Sequence, residues 1–184
     1  YADQVDVNWF ESTLNWQAST VFAEEGKFKP NLNVFDGSLR QRQAITQLGS
    51  EKLITQTLYD HYGRPSLQTL PAPTTNVPSS MQSELAFMRS TSDPILSVPY
   101  GTDKNDYWIE APEDSPQPVS EASGLGRYYG DELLSNPMFT LDGVSNYVPD
   151  AEGYPFSMTK YTPDLTGRIQ RESGVGATFA MGSG

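Results

Sequence analysis

LRQRQAITQLGSEKLITQTLYDHY, residues 39–62, is the stretch whose reading decides the fold. Ala44, Ile45, Leu48, Ile54, Leu58 and Tyr62 recur at near-helical spacing and would form one apolar stripe. Asp36-Gly37 reads as the turn before it, and Ser38 as the N-cap. Gly49-Ser50 interrupts the stripe, and Ser50 is placed to recap a second helix. The spacing therefore predicts one bent helix or a helical pair, ended by Gly63 and Pro65.

Working outward, two weaker helical patterns flank this element. Trp9, Phe10, Leu14, Ala18 and Phe22 place apolar groups about one turn apart. Ser79 with Gln82 has the spacing of a capping box ahead of Met81, Leu85 and Met88, a short helix near 80–90 between Pro78 and Pro94. Gly130 to Ser135 offers one more helical turn.

Prolines divide the chain. Only Pro30 precedes Pro65, and the other thirteen of the 14 prolines lie at or beyond it. Each removes an amide donor and restricts its predecessor, which excludes long helices and central strands there. The expected fold is mostly irregular and extended with a few short α-helices. Residues 1–63 form a small helical head, and residues 64–184 form a long Pro/Gly/aromatic-rich arm. The alternative is a loop-rich small β domain with strands at 107–109, 139–141, 146–148 and 178–181.

Composition narrows the function. The 184 residues hold 23 acids against 12 bases, for a net charge of -11, which opposes gripping nucleic acid by bulk charge. Without cysteine there is no disulfide scaffold, thiolate zinc site or thiol catalysis, and one histidine cannot build a multi-histidine metal site. No apolar run reaches the roughly 18 residues of a membrane-spanning helix. Residues 101–152 hold eleven acids against Lys104 and Arg127, an acidic aromatic belt suited to a basic partner face. Tyr1 in place of Met reads as a processed or trimmed chain.

Catalytic and ligand motifs fail one by one. His61 follows Asp60, but no Gly-x-Ser-x-Gly elbow supplies a nucleophile, and a histidine at a helix end commonly faces the last carbonyls. The glycine-rich run from Gly124 to Gly130 fits neither the dinucleotide fingerprint nor a Walker loop, and Asp131 and Glu132 would repel a phosphate. Asp103, Asn105, Asp106 and Glu110 offer calcium oxygens, but Tyr107 and Trp108 break the EF-hand pattern. Glu110, Glu113 and Asp114 beside Trp108 suggest a glycosidase pair, but lie on a proline-rich loop unsuited to a fixed separation. No catalytic, cofactor-binding or metal-ligating residue is nominated.

Eleven of the 21 aromatic residues lie from Tyr100 onward, separated by Pro, Gly and Ser, like anchors on a string. Trp9, Trp16, Tyr107, Trp108, Tyr128, Tyr129, Tyr154, Phe156 and Phe179 are the candidate partner-binding anchors. The reading is a non-enzymatic linker subunit of a large multi-protein assembly, such as an antenna linker, a supercomplex accessory subunit or a capsid cement protein. Other protein subunits would be its partners. A β-rich carbohydrate-recognition module is the alternative, and a carboxylate-dependent glycoside hydrolase a remote one.

Overall fold

The computed structural model describes residues 15–48, 51–73, 108–109, 116, 118–119, 124–130 and 148–182. The expected mostly irregular, partly helical fold is overturned: these residues form an antiparallel sheet. Its strands are β1 (Asn15–Phe22), β2 (Phe28–Phe35), β3 (Gln41–Leu48), β4 (Glu51–Asp60), β5 (Pro65–Thr69), β8 (Phe156–Tyr161) and β9 (Ile169–Glu172), hydrogen-bonded in that order. Two short strands, β6 (Ala72–Pro73) and β7 (Trp108–Ile109), pair with β4 off this path, β7 in parallel. The sole α-helix among the described residues is α1 (Gly124–Tyr128).

Residues 39–62, expected to be helical, are instead the loop end leading into β3, then β3, β4 and the start of the next turn. The helical apolar stripe does not form: Ile45 instead lies opposite Ile54 across β3 and β4, with Leu32 on β2 beyond it and Ala72 on β6 at the other side. All four are buried, while Tyr62 is exposed. The next row runs Val34, Gln43, Gln56 along β2, β3 and β4, and the Gln56 amide donates to Thr69 Oγ1 at 2.9 Å. Thr69 in turn faces Phe156. A third row is Leu58, Leu67 and Met158, closed by the Met158 amide donating to Ser173 Oγ at 2.9 Å. Such rows need alternate residues to face inward, and β-branched Ile45, Thr46, Ile54, Thr55 and Thr57 favour the pleated backbone.

Helix α1 and irregular chain cover this face. Val119, Leu125, Tyr129, Ala151 and Met181 pack on the strand residues in one core. The cover is stitched by backbone bonds from the Val119 amide to the Gly153 carbonyl at 2.7 Å and from the Ala151 amide to the Tyr129 carbonyl at 2.9 Å. The Tyr129 hydroxyl donates to the Pro71 carbonyl at 2.5 Å, and burial, then the neighbouring Tyr128, pushes its pKa up to about 12. Strands from both sides of residue 64 thus share one sheet, since β5 pairs with β8. The expected helix near 80–90 and the alternative strands at 139–141 and 146–147 lie outside the described residues. Trp108–Ile109 is a strand as the alternative had it, whereas Ala177–Phe179 is a 3-10 turn.

Candidate functional site

The turn expected at Asp36-Gly37 and the helix end expected at His61 both lie in hairpin loops, and they share with a third loop a spacing that none of the sequence motifs above includes. Asp36 and Arg40, Asp60 and Arg64, and Asp164 and Arg168 are each four apart. These loops join β2 to β3, β4 to β5 and β8 to β9. Because neighbouring strands are antiparallel, all three lie along one end of the sheet.

The first two loops are built alike. The Asp36 amide donates to the Arg40 carbonyl at 2.9 Å and the Leu39 amide to the Asp36 carbonyl at 3.0 Å. The corresponding bonds from Asp60 to Arg64 and from Gly63 to Asp60 are 2.9 and 2.8 Å. The fourth residue is left-handed in both, at φ 61 for Leu39 and φ 77 for Gly63, giving the type I turn plus bulge of a three-residue hairpin loop. Each carboxylate then fills the loop. Asp36 Oδ1 accepts from the Ser38 amide at 2.8 Å and the Arg40 amide at 2.9 Å, and Oδ2 from Arg40 Nε at 2.7 Å. Asp60 Oδ1 accepts from the Tyr62 and Arg64 amides at 3.0 and 2.9 Å, and Oδ2 from Arg64 Nε at 2.7 Å. Aspartate fits because its short side chain turns back on its own loop.

An aromatic residue stands just before each loop, at a register shift in the strand: Phe35, Tyr59 and Tyr161. The two tyrosine rings couple one loop to the next. The Arg40 guanidinium lies 5.0 Å from the centroid of the Tyr59 ring, and the Tyr59 hydroxyl donates to the Gln41 carbonyl at 2.5 Å. One step along, Arg64 lies 4.4 Å from the Tyr161 ring, and the Tyr161 hydroxyl donates to the Pro65 carbonyl at 3.0 Å. In both steps the tyrosine stacks on an arginine and bonds the carbonyl of the residue after it. Burial, more than the nearby Asp36 charge, holds the Tyr59 pKa above its ordinary value, so the phenol stays a donor.

The third loop is wider and wetter. It closes with the Thr162 amide on the Arg168 carbonyl at 2.9 Å. Asp164 Oδ1 accepts from Thr162 Oγ1 at 2.5 Å and Thr166 Oγ1 at 2.8 Å, while Arg168 Nη2 stands 3.4 Å from Oδ2. Those hydroxyl bonds, Thr162 first and Thr166 next, hold the Asp164 carboxyl below the usual carboxylate range.

Of the nominated anchors, the structure brings Tyr129 and Phe156 into the core, leaves Tyr128 and Tyr154 half-buried beside it, and exposes Phe179 and Trp16. Trp9 and Tyr107 lie outside the described residues, and Trp108 is placed on β7 by its backbone. The anchors do not converge on one site. Three of the exposed aromatic residues lie instead on the β1–β2 hairpin, where Phe22 faces Phe28 across the strands and Trp16 lies on the same side of β1; Tyr62 and Phe179 are exposed elsewhere. The sequence signal for the loops was the thrice-repeated Asp-x-x-x-Arg spacing.

Among the described residues no group of three or more His, Cys, Asp or Glu side chains is arranged to hold a metal ion. Nor is any described helix long and apolar enough to cross a membrane. Comparison with protein-family models, with curated proteins and with solved structures returns no match.

Proposed function

We propose that this chain is a non-enzymatic structural module, a stiff sheet that takes its place beside other protein subunits in a larger assembly. The observation that carries this reading is the coupled rim. Asp36, Arg40, Tyr59, Asp60, Arg64 and Tyr161 bond chiefly to one another and to the backbone, across three successive hairpins. Groups able to do acid–base work are thereby spent on holding loops and joining strands. The described aromatics of the second half either pack into the module or decorate its surface, in place of an extended arm. Coupling successive hairpins stiffens the sheet sideways, which suits an element that transmits position between neighbours.

Gradient sedimentation of a native extract, with the untagged chain followed by antibody, tests the proposal. The chain is expected in fractions well above those of its 20.3 kDa monomer. Recovery wholly in the monomer fractions would overturn it.

A further inference from the structure

The two ends of the sheet differ in how they meet solvent. β9 is four residues long, carries Arg171 and Glu172, and has a register shift beside it. Those features discourage another strand from adding to it. β1 is eight residues long, has neither a charged residue nor a proline, and pairs with β2 without a register shift. In a chain of net charge -11 it is an uncharged edge, and among the described residues nothing pairs with its outer side.

We propose that two copies of this chain associate through β1, antiparallel about a two-fold axis, so that their sheets become one. This rests on the structural-module reading and names the first partner in it.

The backbone fixes the register. The Ala23 amide donates to the Lys27 carbonyl at 2.8 Å, which makes that pair a hydrogen-bonded one. Pairs alternate from there, so Val21 with Lys29 and Ser19 with Asn31 bond across β1 and β2, while Phe22, Thr20, Ala18 and Trp16 do not. Pro30, which has no amide hydrogen, faces Thr20, where none is needed. The amides and carbonyls of Trp16, Ala18, Thr20 and Phe22 therefore point outward. A copy placed with Ser19 on the two-fold axis pairs Trp16 with Phe22 and Ala18 with Thr20 of its mate, and the reverse. All four outward-facing residues are then used, with about eight bonds between the chains. Sliding the register by two in either direction leaves one of these end residues without its mate.

Side chains agree with that register. Directly opposed residues project to the same side of a sheet. Trp16, 45 % exposed, then lies against Phe22 of the mate, which is 78 % exposed and faces Phe28 on its own β2. The row that holds Val34 and Trp16 continues across the junction to Phe22 of the mate. The face carrying Ser19 stays polar except for Val21, which meets Gln17. No like charges are brought together along the strand, whereas a contact through the acid-rich remainder would oppose association.

Sedimentation equilibrium of the purified full chain tests this, with expected movement from monomer to dimer as concentration rises. Thr20→Pro removes an outward amide and no internal bond, so it should abolish the dimer while the circular dichroism spectrum stays unchanged. Ala18→Lys, which sets a charge on the junction, should do the same if the proline variant fails to fold. The absence of native cysteine allows a direct register probe: Ser19→Cys should form an intermolecular disulfide under mild oxidation, and Gln17→Cys should not. A wild type that stays monomeric at every concentration would overturn the proposal. So would a dimer that survives both edge substitutions, or Gln17→Cys cross-linking as readily as Ser19→Cys. A purified monomer that nonetheless sediments in a large complex in extract removes the two-fold edge and leaves the structural module standing; monomer in both removes the module as well.

Discussion

The loops at Asp60–Arg64 and Asp164–Arg168 share one spacing and differ in nearly everything that sets its worth. At Asp60 the carboxylate side chain is 4 % exposed and 2.7 Å from its arginine; at Asp164 it is 45 % exposed and 3.4 Å away. Arg64 lies over the next tyrosine ring, whereas Arg168 is 75 % exposed. The Asp36–Arg40 loop behaves as Asp60–Arg64 does, at 2.7 Å with its carboxylate 2 % exposed. An i, i+4 ion pair is therefore no fixed quantity. Burial makes the carboxylate hard to replace, because water reaches its place less readily, and exposure makes it optional.

Removing the buried carboxylate should have the largest effect. Asp60→Ala strips acceptors from the Tyr62 and Arg64 amides and from the Arg64 side chain together. A loss of about 3–5 kcal/mol in urea unfolding is expected. A loss below about 1 kcal/mol would mean that solvent reaches this loop as it does the third, and the contrast would collapse.

The left-handed position sharpens the contrast between the two buried loops. Gly63 adopts φ +77, and a Cβ there would lie 2.6 Å from Arg40 Nη1, the arginine of the preceding loop. Gly63→Ala should cost about 1–3 kcal/mol through backbone strain and displacement of that arginine. Leu39 holds the same place at φ 61 with its side chain in solvent. Relief of left-handed strain there outweighs the added chain entropy, so Leu39→Gly should stabilise by up to about 1 kcal/mol. Both are read as shifts in the urea midpoint at constant slope.

Why this was hard to read beforehand follows from particular residues. Gln43 and Gln56 stand in the middle of the core rows, 1 % and 0 % exposed, where a strand pattern leads one to expect apolar side chains. With them scored as polar, alternation in β3 and β4 disappears and the remaining apolar residues fall near a helical period. Gly49-Ser50, taken as a recapping point, separates Leu48 from Glu51, which face each other as the last pair of β3 and β4. A Gly-Ser dipeptide between two such runs is a hairpin signal. The turn at Asp36-Gly37 was legible, whereas Gly63, expected to end a helix, is the left-handed residue of a hairpin loop. The rim was not legible, since Tyr59 comes 19 residues after Arg40 and Tyr161 comes 97 after Arg64, and only the sheet brings them together.

The coupling between loops should be smaller than the bonds within them. Tyr59→Phe keeps the ring near Arg40 and removes only the hydroxyl bond to the Gln41 carbonyl. About 1 kcal/mol of destabilisation is expected. A double-mutant cycle of Tyr59→Leu, which removes the ring, with Asp36→Ala should show non-additivity, because Asp36 orients the arginine on which that ring stacks. Additive losses would show two independent hairpins and weaken the case for a coupled rim.

At the exposed loop the smallest effect is also the most diagnostic. Asp164→Ala should move Tm by no more than about 2 °C, since water replaces the partners it loses. Its chemistry is nevertheless visible in titration. Hydroxyls of Thr162 and Thr166 bond the ionised form, so the folded carboxyl titrates below its ordinary value. A depressed folded pKa adds stability that is present above the unfolded pKa and fades as pH falls through the folded one. Carbon-13 NMR of the side-chain carboxyl should find the low midpoint in the wild type, rising towards the ordinary value in Thr162→Val and again in Thr166→Val. A midpoint indifferent to both threonines, or a Tm that falls as far as in Asp60→Ala, would show that spacing and not burial governs these pairs.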